Sequence, residues 1–201
     1  MEVNELKKAH IKYQEEISSR LGEFSKLGFE NYLHELRFCL LTPQSKAEKC
    51  WQAVEELREM NLDPKLIENC LKTKTRFYKN KTRYILEANN NWNAIKELLK
   101  ENSNPQTLRN TLAKNVKGLG LKEASHFLRN IGKSKNQLAI LDRHILSQLK
   151  EMKVIKEIPQ LNNKTYLELE QKMINFSNSV NIPLDELDLL FWKIESGRIF
   201  K

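Results

Sequence analysis

Cysteine gives this 201-residue chain no framework. Cys39, Cys50 and Cys70 are odd in number, spread over predicted helices and free of any C-x-x-C pair, so neither a disulfide scaffold nor a zinc knuckle is supported. They read as reduced, packed thiols. His10, His34, His126 and His144 are scattered too, which leaves no side-chain set for a metal site. No apolar run approaches the roughly 18 residues that a bilayer-spanning helix requires. The opening sequence MEVNELKKAHIKYQEE lacks the apolar centre of a signal peptide, so a cytoplasmic protein without membrane attachment is expected. Sustained β-branched runs with period two are missing, as are repeats and low-complexity segments.

What is present is apolar spacing of three and four almost throughout, which predicts an all-α protein. Helices are expected near 4–25, 30–41, 45–60, 64–72, 78–90, 92–101, 105–115, 122–131, 142–151, 165–179 and 184–195. Asp63-Pro64 and Asn104-Pro105 place a capping side chain before a proline at the first helical position, and Thr165-x-x-Glu168 has the form of a capping box. The length allows one compact domain or two helical lobes sharing a cleft. A formal net charge of +8 and a pI near 9.3 favour a polyanionic partner.

The chemistry concentrates in Val116-Lys117-Gly118-Leu119-Gly120-Leu121-Lys122-Glu123-Ala124, with Leu141-Asp142-Arg143-His144-Ile145 downstream. A G-x-G turn that closes one helix and opens another aims backbone N–H groups at a phosphate, and both Gly118 and Gly120 can adopt positive φ. Leu119 would plug the gap between the helices while Lys114 and Lys117 flank the turn. Lys122 falls in the first turn of the next helix, where the helix dipole disfavours a positive charge and so favours the neutral, nucleophilic amine. Asp142 sits where an N-cap is expected. A carboxylate fixed there stays ionised and can stabilise an oxocarbenium-like sugar or relay a proton. The polar loop 132–137 is long enough to return the second helix beside the first, which would let Lys122 and Asp142 meet.

These motifs resemble the helix-hairpin-helix DNA glycosylases, whose pattern is a Gly-rich hairpin (here about 108–131), a catalytic lysine just after it and an aspartate further along. Lys122 and Asp142 match the last two. No cysteine cluster follows the hairpin, unlike the iron–sulfur members. The segments Leu40-Leu41-Thr42-Pro43-Gln44-Ser45 and Arg76-Phe77-Tyr78-Lys79-Asn80-Lys81, with the ending from Leu184 to Lys201, look like the compact archaeal-type 8-oxoguanine DNA glycosylase/AP lyases over nearly the whole chain. The resemblance implies two helical lobes around a central DNA-binding cleft. It implies removal of 8-oxoguanine through a Lys122 Schiff base, followed by β-elimination. Gln44 would fill the gap left by the extruded nucleotide, while Lys117, Gly118 and Gly120 hold phosphate. Lys201, at the end of the sequence, would help to hold the base, with Trp192 and Phe77 stacking on it; Trp51 and Trp92 are assigned to packing. Double-stranded DNA containing 8-oxoguanine or abasic sites is the expected partner of a monomer that needs no cofactor. Backbone carbonyls of Lys114, Val116 and Leu119 could hold a monovalent cation. The alternatives are a glycosylase for another damaged base and a non-catalytic DNA-binding hairpin.

Overall fold

Helices form where the apolar spacing put them. The computed structural model describes residues 1–101 and 103–201, and among these it holds helices, turns and loops but no strand. In chain order they are α1 (Val3–Ser25), a 3-10 turn (Phe29–Asn31), α2 (Tyr32–Leu41), α3 (Ala47–Arg58), α4 (Pro64–Lys72), α5 (Tyr78–Asn90) and α6 (Trp92–Lys100). They continue with α7 (Pro105–Asn115), α8 (Leu121–Asn130), α9 (Arg143–Glu151), α10 (Asn163–Val180) and α11 (Leu184–Ser196). The protein is all-α, and Cys39, Cys50 and Cys70 are free, buried thiols.

Proline and a short polar side chain fix two of the starts. Asp63 accepts the amides of Lys65 and Leu66, Asn104 those of Gln106 and Thr107, and in each helix a proline takes the first position, where its missing N–H costs nothing. The capping box expected at Thr165 is displaced by one turn. Asn162 is the N-cap of α10, its side chain accepting the Thr165 amide at 3.0 Å while the Thr165 hydroxyl accepts the Asn162 amide at 2.8 Å. Threonine is therefore the third helical residue of the box and Glu168 lies outside it.

The chain divides into two compact units. One comprises Leu27–Phe127 with Phe200; the other comprises Met1–Lys26 and Leu128–Ile199 with Lys201. In the first, α2 is buried on every side from Glu35 to Leu41, as befits a central helix, and packs on α3 and α5, while α4 lies along α5. Trp51 packs edge-on against Phe38, with ring centroids 5.7 Å apart. In the second, α1 runs against α11, which in turn packs on α9 and α10. Leu6, Ile17 and Phe24 of α1 and Leu187, Leu190 and Phe191 of α11 are sealed in this core. Gly132 ends the segment after α8 with φ +69°, and a Cβ there would lie 2.8 Å from the Ser25 Cα, so only glycine lets the end of α1 approach this closely.

Candidate active site

The turn between α7 and α8 is built from one glycine at positive φ and one apolar plug. Gly118 has φ +87°, and a Cβ there would strike the Tyr84 ring at 2.4 Å. Its requirement for glycine is therefore both conformational and steric. Gly120 does not share the positive φ expected of it. Its carbonyl accepts the Ala124 amide at 2.9 Å, which makes it the residue that opens α8. Leu119 is buried at 3% exposure, while Lys117, Gly118 and Gly120 are exposed. Lys117 pairs loosely with Glu87 at 3.6 Å. The Val116 carbonyl accepts the Leu119 amide at 3.1 Å; a monovalent cation at this turn would share that oxygen, which two lone pairs allow. Among the described residues no cluster of three His, Cys, Asp or Glu side chains could hold a metal ion.

Lys122 is the second residue of α8. Its Nζ lies 3.0 Å from Glu123 Oε1, with side-chain exposures of 27% and 14%. Glu123 is well placed for that role, because a carboxylate in the first turn is favoured by the helix dipole whereas the neighbouring ammonium is not. Sequence reasoning named the lysine and overlooked this partner.

Two further site residues of this unit stand in the left-handed region, where large side chains are strained. Gln44 (φ +54°) is the third residue of a turn closed by Ser45 N–H to Thr42 O at 3.0 Å, with Pro43 before it, the pattern of a type II turn that normally places glycine there. Phe77 (φ +56°) precedes α5 and is 54% exposed, so core packing does not account for it. The Arg76 guanidinium lies 5.5 Å from its ring centroid. Phe77, Pro43, Lys81, Tyr84 and Gly118 line one cavity of about 220 Å³, which brings the Gln44 turn, Phe77 and the hairpin glycine together.

In the other unit Asp142 caps α9, accepting the His144 and Ile145 amides at 2.8 and 2.9 Å. The segment before it has no regular structure yet is buried from Leu138 through Leu141. Side chains anchor this stretch: Asp185 accepts Ser134 Oγ at 2.6 Å and the Asn136 amide at 3.1 Å, Glu170 accepts the Ala139 amide at 2.9 Å, and the Tyr166 hydroxyl donates to the Ala139 carbonyl at 2.6 Å. Asp142 is thus delivered by a fixed strap. Behind it the buried Asp188 carboxylate faces Arg129 at 3.2 Å; burial pushes Asp188 up to about 7, the guanidinium opposes this and the Asp142 and Asp185 charges add to it.

Trp192 is half-buried and packs its ring on His144, with centroids 4.9 Å apart and planes at 51°, while its neighbour Phe191 is fully buried. Lys201 is half-buried. No helix among the described residues is long and apolar enough to cross a membrane.

Comparison with known proteins gives this arrangement a context. A family model for 8-oxoguanine DNA glycosylase matches residues 17–182. The 8-oxoguanine DNA glycosylase/AP lyase of Fusobacterium nucleatum is 41% identical over 98% of this chain and 97% of its own. The Methanocaldococcus jannaschii 8-oxoguanine glycosylase/lyase, solved in complex with a 15mer DNA containing 8-oxoguanine, superposes with a TM-score of 0.89 at 33% identity over 99% of both chains. The 8-oxoguanine DNA glycosylase of Thermotoga maritima gives a TM-score of 0.89 at 31% identity, covering 99% of this chain and 98% of its own. The chain belongs to the 8-oxoguanine DNA glycosylase family.

Proposed function

We propose that this protein excises 8-oxoguanine from double-stranded DNA and then cleaves the strand at the resulting sugar, acting as a monomer on DNA in the cytoplasm of a prokaryote. The observation that carries the reading is the Gly118 turn, which leads directly into Lys122 at the start of α8 in a chain similar along nearly its whole length to proteins of that activity.

In this reading the exposed amides around Gly118 and Gly120, with Lys117, grip a phosphate without reading bases. Gln44 enters the duplex where the damaged nucleotide leaves. Trp192 and Phe77 return part of the stacking lost in flipping, and Lys201 helps to hold the base edge. Guanine has an acceptor at N7 where 8-oxoguanine carries a proton, so selection calls for an acceptor on the protein or a shaped pocket around the base edges. Lys122 first opens its ion pair with Glu123 and sheds a proton. The neutral amine attacks C1′, the N-glycosidic bond breaks, and the base leaves with a proton. Asp142, held by its cap, stabilises positive charge on the sugar as that bond lengthens. Ring opening gives a Schiff base between Nζ and C1′. Loss of a proton from C2′ then expels the 3′ phosphate.

Duplexes that each carry one damaged base or a preformed abasic site test this directly. The purified protein should release 8-oxoguanine faster than any oxidised pyrimidine, and loss of Lys201 should slow release more than cleavage of the abasic duplex. A preference for an oxidised pyrimidine would replace the substrate, and binding without release on every duplex would reduce the protein to a DNA-binding hairpin.

A further inference from the structure

Lys81 is a lysine at a position where the helix pattern calls for an apolar residue. It precedes Ile85 and Ala88 by four and seven positions, in the buried stripe of α5, and its exposure is 3%. Its ammonium donates to Leu41 O at 2.7 Å, Pro43 O at 2.8 Å and Ser45 Oγ at 2.8 Å. An ammonium has three donors, so all of them end on one short segment. The Leu41 carbonyl is one that α2 leaves over at its C-terminus, and Cys50 Sγ donates to it as well, at 3.2 Å. Ser45 Oγ also accepts the Arg76 amide at 2.9 Å, which ties the turn to the residue before Phe77.

Both residues tied together in this way, Gln44 and Phe77, hold the left-handed backbone described above, and such strain persists only where the surroundings impose it. Burial lowers Lys81 to about 8; Cys50 opposes this, and the smaller effects of the Arg76 and Lys122 charges add to it. The fold thus keeps a desolvated cation where an apolar side chain would avoid that cost. The ammonium faces the protein's own backbone, with no donor left for a phosphate.

We infer that Lys81 is a positioning residue that holds the 42–45 turn in the shape presenting Gln44 to the duplex and, through Ser45, couples it to Phe77, so that opening a paired lesion depends on Lys81 while bond cleavage does not. The inference rests on the gap-filling role proposed for Gln44.

Single-turnover excision from two substrates tests it: 8-oxoguanine paired with cytosine, and 8-oxoguanine in a one-nucleotide bulge that leaves it unpaired. Lys81→Met should lose about tenfold or more on the paired lesion, the scale of a buried charged hydrogen-bond network, and stay within about threefold of wild type on the bulge. Ser45→Ala removes one of the ammonium's three acceptors and the Arg76 contact while keeping the lysine itself. It should show a smaller loss of the same kind, and it carries the test if the lysine variant does not fold. Equal losses on both substrates, or an undiminished paired rate in a variant shown to be folded by circular dichroism, overturn the inference. Gln44→Ala separates the two ways of failing. If that variant loses only the paired substrate while the other two lose neither, gap filling stands and the positioning role falls; if it loses neither, both fall.

Discussion

The two units bury charge of opposite sign beneath the segments that carry their site residues. In the Leu27–Phe127 unit the ammonium of Lys81 serves oxygen atoms at residues 41–45, just past the end of α2, where a helix leaves carbonyls unpaired. In the other unit the carboxylates of Glu170 and Asp185 serve amides at residues 136 and 139, on the strap leading to Asp142. An irregular segment withdrawn from water must find partners for its backbone, and the groups left over decide which sign of charge is worth burying. Both segments also carry left-handed backbone: Gln44 and Phe77 stand at positive φ in the first unit, and Lys135 and Asn136 do so on the strap that leads to Asp142, itself in ordinary extended backbone.

Four substitutions probe that contrast, beginning with the largest expected effect. Asp142→Asn keeps the cap, since asparagine caps about as well as aspartate, so thermal stability should hold while single-turnover excision falls by about 10² or more through loss of the charge. An unchanged rate would leave Asp142 with its structural role alone. Gly118→Ala adds a clash with Tyr84 to a disfavoured φ and should cost about 1–3 kcal/mol in urea unfolding along with DNA affinity. Gly197, with φ +77° and open space around it, provides the control: alanine there should cost about 1 kcal/mol or less. Equal costs at the two positions would dismiss the steric argument. Glu170→Leu strands the Ala139 amide and should lower stability by about 1–3 kcal/mol, with a matching rise in amide exchange at residues 138–141.

A separate effect is a tilt with pH that differs in sign between the units. Asp188, pushed up to about 7 by burial, keeps its proton in the fold over a range where the unfolded chain, titrating near 4, has released it. Its contribution to stability is therefore complete below about 4 and lost as pH rises through 7. His34 behaves oppositely. Burial, with Arg58 and Arg37 nearby, lowers it to about 4, so the unfolded chain binds more protons between 4 and 6.5 and stability falls as pH drops through that range. Relative to wild type, Asp188→Asn should gain stability as pH rises from 4 to 7, and His34→Asn should gain as pH falls from 6.5 to 4. Urea midpoints at three pH values check both, and tilts of the same sign would contradict the assignment.

Much of this was legible in residue spacing. The helices, the proline-marked starts at Asp63 and Asn104, the Leu119 plug and the Asp142 cap all depend on neighbours within a few positions, where side-chain chemistry acts on the adjacent backbone. The α10 start was misread because Asn162 and Thr165 can both cap, and the choice turns on which amide each side chain reaches. Lys81 was overlooked although its signal was present: it completes the apolar stripe of Ile85 and Ala88, and beside Lys79 it passes for one more surface charge. Glu170 and Asp185 were hidden for a different reason. Their partners lie 31 to 51 residues away, a distance over which no local pattern carries information.

Borohydride trapping on an 8-oxoguanine duplex bears most directly on Lys122. Wild-type protein should give a covalent protein–DNA adduct whose cross-linked peptide contains Lys122, and Lys122→Gln, still folded and still binding the duplex, should give neither adduct nor strand cleavage. An adduct of undiminished yield in that variant, or release of the base and a nick at the wild-type rate, would contradict the account.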